Sequence, residues 1–202
     1  VGTRHHGGVL EEADVHVSVA IVPPDHVLDD VEAAVARTPA PAGEFDRVHR
    51  GALMLPVFSL GNVARPEVTA VAQFLRDALD RSATPPQVRF AGVWALEAEG
   101  DPTVGLPLDG EVGRVDELVR TLWDLVTVRG FFVDRRGWAG RLTVGSVTAT
   151  TSLPFLERLV ADLGTYTSPS WPVSAISLVR QRFDTPGLDS AEVVDEVLTD
   201  LD

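Results

Sequence analysis

The sequence predicts an α+β protein built as two related lobes with a groove between them. Two observations carry this. The apolar period switches repeatedly between two and 3.6 along the chain, giving the order β-α-β-α-β-(β)-α-β-α-β and then one more element. A glycine-bounded strand, a capped amphipathic helix and a further strand occur at 51–98 and again at 141–183, a self-similarity that argues for paired lobes.

The elements follow in order. Val15 to Val22 alternates Val15, Val17, Val19 and Ile21 against His16, Ser18 and Ala20, as a strand does. Pro23 and Pro24 stop it. Asp25 caps a helix with the stripe Val27, Leu28, Val31, Ala34 and Val35. Residues 38–43 are a loop. Gly51 to Leu60 is a strand closed by Gly61 and Asn62, and Pro66 opens a helix burying Val68, Val71, Ala72, Leu75, Ala78 and Leu79. After Pro85 and Pro86, Val88 to Ala98 is a strand and Val104 to Leu108 a short one.

Val112 to Val128 has the clearest helical face, with Val115, Leu118, Val119, Leu122 and Val126. A loop through Arg135, Arg136 and Gly137 leads to the strand Arg141 to Thr148. Ser152 caps a helix with Leu153, Leu156, Leu159, Val160 and Leu163 inward and Gly164 at its end. Pro172 to Phe183 is a long strand. The valines of Ser190 to Leu201 fit a helix or a strand.

Composition limits the function classes. The chain has 202 residues, 45% of them hydrophobic, which suits one domain with a core. Residues 1–12 read as a flexible tail and 13–202 as a single two-lobed domain. With no cysteine, disulfides, thiolate nucleophiles and cysteine-ligated zinc are excluded. Nothing has the apolar length of a membrane span or the pattern of a signal peptide, so the expected location is the cytoplasm. A net charge of −13, from 30 acidic and 17 basic residues, disfavours broad nucleic-acid binding.

Familiar catalytic motifs fail one by one. Gly105 and Gly110 are five apart but no Lys-Ser/Thr follows, so there is no P-loop. No GxSxG elbow occurs. The five histidines, His5, His6, His16, His26 and His49, all precede residue 50 and none has a metal-ligand spacing partner. His5 and His6 sit beside glycines on the tail. Asp25, Asp29, Asp30 and Glu32 read as a solvated face near a helix N-terminus. No metal and no cofactor is expected.

Four segments nonetheless resemble a known group. They are Val17 to Pro24 (VSVAIVPP), Leu53 to Gly61 (LMLPVFSLG), Gly140 to Gly145 (GRLTVG) and Val173 to Leu178 (VSAISL), each in its place among the helices. Together they resemble the 2H phosphoesterases, the 2′-5′ RNA ligase-like and cyclic phosphodiesterase-like proteins, over roughly Val15 to Leu198. The resemblance implies pseudo-twofold lobes of mainly antiparallel sheet, with outer helices and a central groove. It also implies that the strands Leu53–Leu60 and Arg141–Thr148 lie near each other, and that Glu192–Leu198 is a strand.

The family's signature is a His-x-Thr/Ser on one strand of each lobe. Residues i and i+2 share a face, so each motif offers an imidazole and a hydroxyl to the groove. One imidazole removes a proton and the other supplies one. Here the first histidine position holds Met54 and its hydroxyl position Pro56; the second pair is Arg141 and Thr143. Methionine and arginine cannot exchange protons in that way. No catalytic residue is therefore assigned, and the expected protein has lost catalysis. Arg141 and Thr143 remain as a candidate anion-binding pair, for a small phosphorylated ligand or a partner protein. His16-Val17-Ser18 also spells the motif, but on the first strand, and reads as a half-exposed histidine. The alternatives are an active phosphoesterase-type enzyme using His16 or His49, and an inert scaffold whose groove is packed shut by Met54 and Pro56.

Overall fold

This computed structural model describes residues 15–79, 84–95, 100, 102–133, 138–182 and 190–198. The tail, the loop 135–137, residues 96–98, Phe183 and residues 199–201 lie outside the described residues. The strands are β1 (Val15–Ile21), β2 (Phe45–Arg47), β3 (Leu55–Val63), β4 (Gln87–Phe90), β5 (Trp94–Ala95), β6 (Thr103–Gly110), β7 (Arg141–Val147), β8 (Trp171–Pro172), β9 (Ala175–Arg182) and β10 (Ser190–Leu198). The helices are α1 (Asp25–Ala36), α2 (Arg65–Ala78), α3 (Val112–Val128) and α4 (Leu153–Gly164).

Two antiparallel sheets result. One has the order β10-β9-β1-β3 and the other β2-β7-β6-β4-β8, with β5 paired to β6. The halves correspond: β1-α1-β3-α2 matches β6-α3-β7-α4. The repeat visible at 51–98 and 141–183 is therefore real as an order of elements but is not a lobe. The strand after α2, β4, joins the second sheet, and the long strand after α4, β9, joins the first. Helices bridge the halves too. Val31 and Val35 of α1 face Val144 of β7, and α1 packs beside α4 while α2 packs beside α3 and β10. Arg129, just past α3, lies 4.4 Å over the Phe74 ring of α2. One continuous core cluster serves both halves.

Several boundaries differ from the sequence reading for local reasons. The strand expected from Gly51 begins at Leu55, because Arg50–Ala52 forms a short 3-10 turn. It also runs through Gly61 and Asn62 to Val63: Gly61 has φ +75° and forms part of a bulge inside the strand. Val88–Ala98 breaks at Gly92, φ +76°, into β4 and β5. The Val104–Leu108 strand is longer, and Pro172–Phe183 divides into β8 and β9. No periodicity foreshadows β2, three residues long and paired to β7. The ambiguous end is a strand, β10, as the resemblance implied.

Side chains depart from the pattern where exposure permits. Ala78 and Leu153 are exposed, and Leu118, Leu156 and Val160 are only half-buried. Ser18 and Ala20 are buried along with the valines, since β1 lies inside its sheet between β3 and β9. Pro24, rather than Asp25, precedes the first turn of α1. Ser152 does precede α4, but its hydroxyl donates to Glu44 Oε2 at 2.6 Å, and its N–H donates to the same oxygen at 2.9 Å. A distant carboxylate thus caps α4, where the helix dipole favours a negative charge. Among the described residues, no helix is long and apolar enough to cross a membrane.

These contacts set two expectations. A Cβ on Gly145 would collide with the Phe45 ring and lie 2.8 Å from the Asp46 carbonyl oxygen. Gly145→Ala should destabilise the protein by about 1–3 kcal/mol by forcing β2 off β7, measurable by urea unfolding. Glu44 is held below its ordinary value of 4.5, chiefly by the Ser152 hydroxyl. A lowered carboxylate favours the fold above that pH and stops doing so as pH falls through the folded value. Glu44→Gln should therefore lower Tm at pH 7, with the gap from wild type closing as the pH drops below about 4.

Candidate functional site

Strand alternation places the motif positions. In β7, Leu142 and Val144 are buried, with Val144 turned toward α1. Arg141 and Thr143 therefore project from the opposite face, and both are partly exposed. In β3, Leu55 and Val57 are buried, so Pro56 projects the other way and is exposed, with Met54 half-buried just before the strand. β3 and β7 approach one another, as the resemblance required.

A residue not anticipated from the sequence completes this face. Thr143 pairs across the sheet with Gly105, and Gly105 pairs with Trp94. Cross-strand partners share a face. Gly105 fits because a Cβ there would already stand 3.0 Å from the Leu142 carbonyl oxygen. Its missing side chain leaves the Trp94 ring clear to meet Arg141, whose guanidinium carbon lies 3.6 Å from the ring centroid. The ring covers one face of the guanidinium plane. Gly110, the other glycine of the rejected P-loop, has φ +101°, and a Cβ there would be 2.7 Å from the Gln87 carbonyl oxygen.

Each motif strand is led in by a residue tied to the preceding helix. Trp138 Nε1 donates to Asp116 Oδ1 of α3 at 2.8 Å, and Gly140 (φ +57°) then turns the chain into β7. On the other side, Arg50 pairs with Asp25 at 3.0 Å, Asp29 at 2.8 Å and Glu32 at 2.5 Å, all from α1. The acidic cluster read as a solvated face is thus a partly exposed ion-pair network. Such networks are screened by salt and hold position more than they stabilise. Asp30 turns away and accepts from the Tyr166 hydroxyl at 2.6 Å. Burial, then that carboxylate, raises the Tyr166 phenol well above its usual value. A cavity of about 610 Å³ lies there, between α1 and α4, and holds none of the motif positions.

The histidines separate. His26 is exposed on the first turn of α1. His49 Nδ1 accepts from the Gly51 N–H at 3.2 Å, a local bond within the turn. His16 is half-buried on β1, and its Nε2 is 3.1 Å from Ser59 Oγ of β3. Among the described residues no group of three or more His, Cys, Asp or Glu side chains could hold a metal ion.

Solved structures share this architecture. The chain matches Escherichia coli LigT complexed with NADP+ at 16% identity and TM-score 0.64, covering 94% of this chain and 99% of that one. It matches a Thermus thermophilus protein at 18% identity and TM-score 0.64, covering 91% of this chain and 97% of that one. A structure described as a phosphoesterase matches at 16% identity and TM-score 0.64, covering 93% and 99%. The chain has the LigT fold. That fold is the one the resemblance to 2H phosphoesterases implied. No protein-family model matches the sequence, and no curated protein matches it significantly.

Proposed function

We propose that this chain is a 2H-phosphoesterase-type domain, spanning residues 13–202, that has lost the paired-histidine catalysis of that family and binds an anionic, phosphate-bearing ligand at Arg141 and Thr143. One observation carries the reading. The Arg141 guanidinium, at the place the resemblance gives to the second motif histidine, is stacked 3.6 Å over Trp94, on the same face as the Thr143 hydroxyl. Arginine is a permanent cation whose planar fork matches two oxygens of a phosphate, and an adjacent hydroxyl adds a further hydrogen bond. Stacking on an indole removes rotamer freedom before the ligand arrives, so less is lost on binding.

Further support is geometric. Pro56 is exposed and Arg141 and Thr143 are partly exposed, so the motif positions are open to solvent rather than packed shut. This favours a binding site over an inert scaffold. The E. coli LigT structures of the same fold include complexes with 3′-AMP, ATP, NADP+ and phosphate. Ligands of that chemistry are the first to try here.

Calorimetry with ATP, NADP+, 3′-AMP and inorganic phosphate tests the reading. At least one should bind wild type, and Arg141→Ala should weaken it by about 10- to 100-fold, the cost of a charge-assisted hydrogen bond of roughly 1.5–3 kcal/mol. Trp94→Leu should weaken it less, by loosening the guanidinium. Equal affinity in wild type and Arg141→Ala, or no binding by either, sinks the anion site.

Catalysis gives a separate expectation. Loss of an acid and a base forfeits roughly 10²–10⁴-fold each. The purified protein should not turn over 2′,3′-cyclic nucleotides or 2′-5′ linkages above a mock preparation, as followed by chromatography. Turnover that co-purifies with the protein and disappears in His16→Ala would replace this reading with an active enzyme.

A further inference from the structure

A second group of reactive side chains meets on the first sheet, and the bulge in β3 creates it. The register pairs His16 with Asn62, Val17 with Gly61 and then Ser18 with Ser59, so Leu60 is the extra residue. In a regular strand, positions 59 and 62 would face opposite ways. The inserted residue, with Gly61 at φ +75°, brings both onto one face. His16 and Ser18, two apart on β1, share that face as well. The result is two rows of two: imidazole and carboxamide in one, hydroxyl and hydroxyl in the other, with cross-strand Cβ atoms about 5 Å apart.

The geometry inside the group is that of an activated nucleophile. His16 Nε2 lies 3.1 Å from Ser59 Oγ, and the Gly61 N–H donates to the same oxygen at 3.0 Å, fixing the serine rotamer. Ser59 and Asn62 are exposed, His16 is half-buried and Ser18 is buried. A base within hydrogen-bond reach of an exposed hydroxyl is the nucleophile–base pair from which acyl transfer starts.

We propose that His16, Ser18, Ser59 and Asn62 form a serine-nucleophile site for carboxylic esters, distinct from Arg141 and independent of the phosphate reading. With its own proton on Nδ1, His16 accepts the Ser59 hydroxyl proton at Nε2 as Oγ adds to the ester carbonyl carbon. The carbonyl electron pair moves onto oxygen, where the Ser18 hydroxyl and the Asn62 carboxamide supply hydrogen bonds. Collapse breaks the bond to the alkoxy group, which leaves with the proton from His16. Water, deprotonated by the same imidazole, then cleaves the acyl–Ser59 ester, releasing the acid and restoring the hydroxyl.

An alkyl fluorophosphonate probes the nucleophile directly. Ser59 Oγ bonds to phosphorus, the P–F bond breaks, fluoride leaves, and the serine proton passes through His16 to solvent. Intact-mass measurement of the full chain should show a single adduct, mapped to Ser59 by peptide sequencing and absent in Ser59→Ala. His16→Gln should label at least about tenfold more slowly, with Tm within a few degrees of wild type. Asn62→Ala, on an exposed side chain, should slow hydrolysis of p-nitrophenyl acetate about tenfold or more. No adduct on wild type, an adduct on another residue, or wild-type labelling by His16→Gln would overturn the site.

Discussion

Everything at the candidate site depends on which face of β3 and β7 meets the helices. Away from a bulge, a strand side chain points to one face or the other with period two, so fixing one fixes its neighbours. Val144 against α1, with Leu142 beside it in the core, fixes β7. Leu55 and Val57, buried in the same core, fix β3. A slip of one residue would bury the Arg141 guanidinium and expose two core aliphatics, at several kcal/mol for the aliphatics alone. Gly145 contributes to the same end: only a hydrogen fits beneath the Phe45 ring, and β2 can then cover the outer edge of β7.

The residues at the motif positions then change what the face can do. A pair of imidazoles would hold and release protons. A thioether and a guanidinium have no such chemistry, and the guanidinium brings a planar fork of donors instead. Its placement over Trp94 is the work of three strands: β5 brings the indole, β6 brings a glycine that leaves room, and β7 brings the arginine. In a chain of net charge −13, long-range attraction for phosphate is weak, so the proposed site would depend on short-range, directional contacts.

The exchange of strands between halves explains how the two motif strands come to lie together. β4 after α2 and β9 after α4 each cross to the other sheet, and α1 packs against β7 and α4. Neither half has a closed core of its own, and the single apolar cluster runs through both. Contacts such as the Tyr166 bond to Asp30 and the stack of Arg129 on Phe74 tie helices from different halves. The relative position of β3 and β7 is therefore set by packing rather than by a linker.

The sequence by itself determined the four helices, most strands and the alternation that sets Pro56 opposite Leu55 and Val57, and Arg141 and Thr143 opposite Leu142 and Val144, because period and capping are local properties. Even the strand at Ser190–Leu198 followed from the resemblance, although its valines fit either period. The tertiary structure alone decided which strand joined which sheet, since β4 and β9 read identically whether they stay or cross. It alone placed Trp94 on Arg141, far away in the chain, through pairings that leave no mark on either segment. It also decided the meeting of His16 with Ser59. There the sequence shows a glycine that reads as the end of a strand, and only pairing with β1 turns that glycine into a bulge that faces a serine toward an imidazole.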